Sequence, residues 1–213
     1  MTNTARFRDA VVAWAANGVD ARDAARLAPG VTTAVLVEGA SDAAAIETLA
    51  RRCGRDLDAE GIAVIPLGGA TSIGRFLDVL APPVLGIRLA GLCDAGEEGF
   101  FQRGLTRIGL GEIGSREQME GVGFFVCIAD LEDELIRALG VAGVEAVIEK
   151  EGDLEKLRTF SNQPAQRDRT IEYQLRRFMG TTSGRKAHYA AAMVNALDSD
   201  RVPLPLARLL AFV

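Results

Sequence analysis

The sequence predicts an α/β fold: a four-stranded parallel sheet flanked by helices, with an N-terminal helical segment and a helical C-terminal part. Four short, continuous apolar runs are separated by helical patterns or loops, as is typical of parallel strands covered on both faces. The 213 residues are 48% hydrophobic and 25% charged. That composition supports one sizeable core in a globular protein.

The N-terminal segment is predicted to be helical over residues 4–28, because apolar residues recur there at helical spacing. Gly18 interrupts the pattern, and Pro29-Gly30 end it. The strands are predicted at TAVLV, IAVIPL, GIRLAGLC and VGFFVCIA, which are residues 33–37, 62–67, 86–93 and 122–129.

After residue 135 the patterns are helical, and we expect this part to pack on the sheet. The segment DELIRALGVAGVEAVIEKEG is expected to hold one or two helices. We therefore divide the chain into residues 1–30, 31–135 and 136–213.

Composition excludes several classes of protein. No apolar run approaches the roughly 20 residues that span a bilayer, so no membrane partner is expected. Three widely spaced cysteines without a CxxC pair suit a reducing cytoplasm and argue against structural zinc. Net charge is −5 but uneven. Residues 1–149 carry 13 Lys and Arg against 22 Asp and Glu, whereas residues 150–213 carry 11 against 7.

The ends of the predicted strands concentrate acidic side chains. The first strand runs into Glu38, the third into Asp94, and the fourth into Asp130 and Glu132. Ligands of open parallel sheets gather at the carboxyl ends of the strands, so we expect these carboxylates to share one site. Asp42, four residues after Glu38, is a further candidate.

An all-carboxylate donor set selects a hard cation, so the sequence predicts Mg²⁺ or Mn²⁺, as one or two ions. A blander interpretation stays open for several of these residues. Asp42 lies where a helix starts and is as well placed to cap it. Part of the acidic cluster 130–134 would favour the dipole of the following helix.

Two features are candidates for phosphate binding. The turn GGATSIGRF begins with Gly68 and Gly69 and resembles a backbone cradle, although glycines often only close a tight turn. The stretch 166–190 is basic, with candidates Arg176, Arg177 and Arg185, and Lys186 is placed to stabilise transition-state charge.

Three further side chains receive structural interpretations. His188 is expected to be an ordinary helix residue rather than a general base. Tyr173 and Tyr189 lie within helical patterns, and we expect both to pack in the core.

The order VLVEGASD, glycine turn, strand-ending Asp94 and later acidic cluster resembles the TOPRIM domain, in particular that of OLD-family (overcoming lysogenization defect) endonucleases. The resemblance implies a TOPRIM-like, Rossmann-like sheet over residues 31–135. It also implies a DNA endonuclease or nickase that cuts phosphodiesters by metal-activated water. Glu38, Asp94 and Lys186 would be catalytic.

This sequence departs from the family pattern at one acid. TOPRIM domains carry DxD after the third strand, whereas Asp94 is followed here by Ala95-Gly96. Glu97 or Glu98 are candidate replacements. OLD proteins also carry an ATPase domain, so a separate ATPase is a candidate partner besides DNA. The alternative is a non-cleaving TOPRIM module that binds nucleic acid or such an ATPase.

Overall fold

Four parallel strands form a single sheet in the order β2-β1-β3-β4. The strands are β1 Thr33–Val37, β2 Ile62–Pro66, β3 Arg88–Asp94 and β4 Phe124–Cys127. The structure is a computed structural model that describes residues 2–17, 21–81, 85–182 and 184–213. The predicted α/β class and all four strand positions are confirmed.

Helices precede, separate and follow the strands. They are α1 Asn3–Asn17, α2 Ala21–Leu27, α3 Ala40–Arg52, α4 Ile73–Leu80, α5 Glu98–Arg107, α6 Arg116–Gly121, α7 Leu131–Lys150, α8 Leu154–Ser161, α9 Ile171–Met179, α10 Arg185–Ala196 and α11 Leu204–Phe212. Short 3₁₀ turns cover Ala70–Ser72 and Ser199–Arg201. The expected interruption at Gly18 lies outside the described residues, with helix on either side of it.

The sheet is buried on both faces because its strand residues alternate between two hydrophobic clusters. Val35 and Val37 of β1 face α3 and the helices from α7 onward. Ala34 and Leu36 face the cluster formed with α1, α4 and α5. Helices after residue 135 thus share one core with the sheet.

One glycine in the sheet is required by close packing. A Cβ on Gly91 of β3 would lie 2.6 Å from the Leu36 carbonyl oxygen and 2.6 Å from the Phe124 ring. The missing side chain therefore lets the Phe124 ring lie directly against the central strands, and any larger residue would push the ring away.

Helix α10 lies against α3, and this contact positions the C-terminal helices. The Arg52 guanidinium, at the end of α3, donates hydrogen bonds to the carbonyl oxygens of Val194 and Leu197 at the end of α10. Both helices therefore begin at the same end of the sheet. This is the end where the strands terminate, and we call the residues there the strand tips. Helix α7 is broken at Gly140, where φ is 71°, so the expected one or two helices are one kinked run.

Candidate active site

Three neighbouring strands bring carboxylates to one edge of the sheet. Glu38 follows β1, Asp94 ends β3, and Glu132 lies just after β4. Strand β3 pairs with both β1 and β4, which makes the three tips adjacent. A pocket of about 400 Å³ lies at this edge, and it is lined by Glu38, Gly39, Ala40, Ser41, Asp42, Gly68, Gly69, Asp94, Glu132, Gly184, Lys186 and Ala187.

The ionised form of Glu38, the residue that follows β1, is disfavoured by its surroundings. Burial raises the pKa of Glu38, and the nearby Glu97 carboxylate raises it further, while the positive charge of Lys186 lowers it. The Asp94 carboxyl is close enough to act as a hydrogen-bond partner of Glu38. That hydrogen bond lowers the pKa of Glu38, whereas the charge of Glu38 raises the pKa of Asp94, so the shared proton favours Asp94.

The pKa of Asp94 shows the crowding most clearly. Burial raises it to about 8, and the charges of Glu38 and Asp42 add to the effect. In the metal-free protein near neutral pH, this carboxyl therefore retains a proton for much of the time.

Asp42 has two roles at once. Its Oδ2 accepts a hydrogen bond of 2.8 Å from the backbone N–H of Gly39, the N-cap of α3, as expected for a helix-start residue. Burial nevertheless raises its pKa to about 7, against the opposing effect of the Gly39 hydrogen bond, and Glu132 and Glu38 raise it further. Asp42 thus both caps the helix and belongs to the acidic cluster.

Asp130 and Glu132 are both buried and both paired with cations. Asp130 caps α7, where its Oδ1 accepts a 2.8 Å hydrogen bond from the N–H of Asp133, and its Oδ2 pairs with Arg176. The Oε2 atom of Glu132 lies 3.2 Å from Nζ of Lys186. Side chains from α9 and α10 therefore neutralise the acids after β4.

Two carboxylate oxygens in the cluster have no protein partner. Oε2 of Glu38 and Oε1 of Glu132 are buried and accept no hydrogen bond. A buried carboxylate oxygen without a donor is costly, so a cation is the kind of group that would satisfy both.

The donor set fits a hard divalent cation by its chemistry, since every candidate ligand is a carboxylate. Within the described ranges, however, no three acidic, histidine or cysteine side chains already surround one point as a complete set of ligands. The carboxylates would have to close around an ion.

Gly96, at the position of the missing DxD acid, has room for a side chain. A Cβ built on Gly96 would meet nothing within 4 Å. Glu97 lies near enough to Glu38 to raise its pKa, whereas Glu98 bonds to Gln102 and lies 2.9 Å from Arg116. Of the two candidate replacements, Glu97 is the one whose charge acts on Glu38.

Gly68 and Gly69 form the turn after β2 with φ values of 70° and 123°, which side-chain-bearing residues rarely adopt. The N–H of Gly69 donates to the Glu38 carbonyl oxygen at 3.1 Å, which ties the turn to the tip of β1. Both glycines line the pocket, so a bound group can approach the backbone there.

The predicted basic residues take up different positions. Arg177 is exposed on α9, and it forms no ion pair within the residues described. Arg185 has a side chain only 18% exposed, which pairs with Asp153 at 3.4 Å and lies over the Phe178 ring. Arg185 therefore faces the helical layer rather than the pocket.

Tyr189 and His188 meet expectation, but Tyr173 does not. Tyr189 is buried, and its hydroxyl donates to Asp153. His188 Nε2 lies 2.7 Å from Glu151, away from the pocket. The expectation that Tyr173 packs in the core is wrong, because its side chain is exposed on α9. The helical period could have shown this, since Tyr173 falls on the face opposite Leu175 and Phe178.

The sheet order and the strand-tip acids define a TOPRIM-type α/β domain. Residues 31–95 match the family model for the overcoming lysogenization defect protein-like TOPRIM domain. The chain thus contains a TOPRIM domain related to that of the OLD C-terminal region, and the predicted resemblance is confirmed. No curated protein matches the sequence.

Two kinds of solved structure share the fold. The C-terminal region of the Xanthomonas campestris pv. campestris OLD protein is 25% identical, with a TM-score of 0.63, over 85% of this chain and 93% of that one. The C-terminal region of the Burkholderia pseudomallei OLD protein is 22% identical, with a TM-score of 0.61, over 84% and 95%. The likeness thus extends past the TOPRIM segment into the C-terminal helices.

Proposed function

We propose that this protein is a divalent-metal-dependent DNA endonuclease or nickase of the OLD-like TOPRIM type. The convergence of Glu38, Asp94 and Glu132 in one pocket with Lys186 carries the proposal. The buried oxygens of Glu38 and Glu132 that lack a partner support it, because they are unfavourable without a cation.

Glu38, Asp94, Asp130 and Glu132 would hold Mg²⁺ or Mn²⁺, as one or two ions, with Asp42 assisting at the start of α3. When bound, such an ion polarises a phosphodiester and lowers the pKa of a coordinated water. Glu38 is placed centrally, because it interacts with Asp94 and lies near Lys186.

Lys186 would change partners when DNA binds. In the free protein its ammonium group pairs with Glu132. Its side chain is half exposed, so it can turn toward a phosphate and stabilise the charge that develops during cleavage. The backbone of Gly68 and Gly69 and the starts of α3 and α10 line the same pocket and favour an anion there.

The arginines would serve different purposes. Arg177, which is exposed on α9, would bind the DNA backbone. Arg176 would release Asp130 to the ion and bind a phosphate instead. Arg185, held by Asp153 and Phe178, would support the helix start that carries Lys186.

Supercoiled plasmid incubated with purified protein and Mn²⁺ or Mg²⁺ tests the proposal. Wild type is expected to produce nicked circles, Glu38→Ala to lose this activity, and the matched variant Glu117→Ala, at an exposed glutamate of α6, to keep it. Equal nicking by wild type and Glu38→Ala would contradict the proposal.

A non-cleaving module that binds nucleic acid or a partner ATPase is the second candidate. The pairing of Asp130 with Arg176 and of Glu132 with Lys186, together with Gly96 in place of an acid, favours it. A pull-down that recovers an ATPase or DNA from a protein that never nicks plasmid would support this alternative.

The cytoplasmic location of the protein and the division of its chain are also part of the proposal. Within the described residues, no helix is long and apolar enough to cross a membrane. The three cysteines are free, which suits the proposed cytoplasmic location. The division into residues 1–30, 31–135 and 136–213 remains a prediction.

A further inference from the structure

Tyr173 is an exposed aromatic side chain that the proposed chemistry does not use. It is 42% exposed on α9, whereas the neighbouring Leu175 and Phe178 are buried in the core. An aromatic ring held in solvent loses burial energy, so it is a candidate for contact with a partner.

The ring lies within a basic surface. The Arg169 guanidinium lies 5.3 Å from the ring centre, close enough for a cation–π contact on one face. Arg176 and Arg177 follow Tyr173 by three and four residues on α9, and both are exposed, as is Arg169 just before the helix. Glu172 is the one acid of α9, and Asp168 is a second exposed acid beside Arg169.

The same surface reaches the acidic cluster through Arg176. Arg176, one helical turn from Tyr173, pairs with Asp130 at the start of α7. Residues three or four apart are neighbours on a helix, so Tyr173 lies beside the side chain that reaches the strand tips.

The exposed face therefore combines positive charge with one aromatic ring. Arginines bind phosphates in both duplex and single-stranded DNA, but a tyrosine ring stacks only on a base that is unpaired or turned out. In a regular duplex the base faces are covered by their neighbours, so the ring would gain little.

We propose that Tyr173, supported by Arg169, is a stacking platform for an unpaired base, and that the protein acts on DNA with single-stranded segments. This inference rests on the proposed function, because it names the substrate class of the same site. The face of the Tyr173 ring opposite Arg169 stacks on the base, while Arg176 and Arg177 bind the flanking phosphates.

Binding measured by fluorescence anisotropy tests the platform. The probes are a labelled 20-nucleotide oligo-dT strand and a labelled 20-base-pair duplex, each with EDTA to prevent cleavage. Tyr173→Ala is expected to weaken oligo-dT binding by about 5- to 100-fold, the range of one lost base stack. Tyr173→Phe should retain affinity within about two-fold, because the ring and not the hydroxyl stacks.

Two controls make the result specific. Duplex affinity should be unchanged in Tyr173→Ala, and Leu204→Ala, at an apolar residue 58% exposed on α11, should leave both affinities unchanged. No loss of oligo-dT binding in Tyr173→Ala, or an equal loss for the duplex, would overturn the platform.

Plasmid nicking distinguishes a failure of the stacking platform from a failure of the nuclease proposal. If wild type nicks plasmid and binds oligo-dT while Tyr173→Ala binds equally well, the platform is wrong and the nuclease stands. If wild type neither binds DNA nor nicks plasmid, the nuclease proposal and the platform both fail.

Discussion

The ammonium group of Lys186 lies 3.2 Å from Oε2 of Glu132, so a cation from α10 neutralises an acid that follows β4. Arg176 of α9 pairs in the same way with Asp130. The metal-free site is therefore held together by the protein's own cations, and a divalent ion has to compete with them.

Removing Lys186 is expected to separate metal binding from cleavage. In Lys186→Ala the competing cation is gone, so Mn²⁺ affinity should rise about five-fold, as for a pair near the surface. Nicking should fall about 100-fold, because the charge that stabilises the transition state is lost. Isothermal titration calorimetry and plasmid nicking measure the two effects. Lys150→Ala, at an exposed lysine, is the control, and weaker Mn²⁺ binding by Lys186→Ala would contradict this interpretation.

Gly96→Asp is expected to restore the missing acid. Open space surrounds the Cβ position of Gly96, so an aspartate fits there without displacing a neighbour. We expect Mn²⁺ affinity to rise about ten-fold and nicking to increase. Gly96→Asn, which adds similar bulk without charge, should do neither. If both variants behave as wild type in calorimetry and nicking, position 96 does not contribute to the site.

Glu97 and Glu98 are expected to differ. Glu97→Gln should weaken Mn²⁺ binding, because its charge acts on Glu38. Glu98→Gln should leave Mn²⁺ binding unchanged, because Glu98 bonds to Gln102 and Arg116 instead. Calorimetry on the two variants decides whether Glu97 takes the place of the second aspartate, and equal affinities would exclude it.

The metal-free protein should lose stability as pH rises. The pKa of Asp94 is raised from 3.8 to about 8 and that of Asp42 to about 7, so the folded state binds protons more tightly than the unfolded chain. Stability is thus greatest below pH 4 for these groups and falls as pH rises through about 8. Urea unfolding at pH 5.5 and pH 8.5, each with EDTA, measures the difference.

Asp94→Asn tests the source of that loss. Because Asp94 is partly exposed and water screens its neighbours, we expect a gain of only about 1–2 kcal/mol in unfolding free energy at pH 8.5. The gain should shrink at pH 5.5, and Mn²⁺ should stabilise wild type more than the variant. A variant less stable than wild type at pH 8.5 would show that the Asp94 carboxylate does not destabilise the folded protein.

Much of the fold was predictable because its signals are local. The strand cores are continuous apolar runs, and the acids stand directly after them, so position alone makes Glu38 and Asp94 candidate site residues. The residues at which the strands begin were harder to predict than their apolar centres. Strand β3 begins after Gly86 and β4 after Gly123, and both glycines have positive φ values that extended strands exclude.

The cation pairs were not predictable, since they depend on how distant helices pack. The sequence predicts that Arg176 binds phosphate, but nothing in it indicates that this residue of α9 pairs with Asp130, the N-cap of α7. The proximity of the Glu97 charge to Glu38 likewise depends on a turn whose geometry the sequence leaves open.

The pocket draws on residues from Glu38 to Lys186, across most of the chain. A growing polypeptide leaving the ribosome therefore cannot assemble the pocket until α10 has emerged and packed against α3. If this protein cuts DNA, a nascent chain that ends before α10 would lack Lys186 and could not cut.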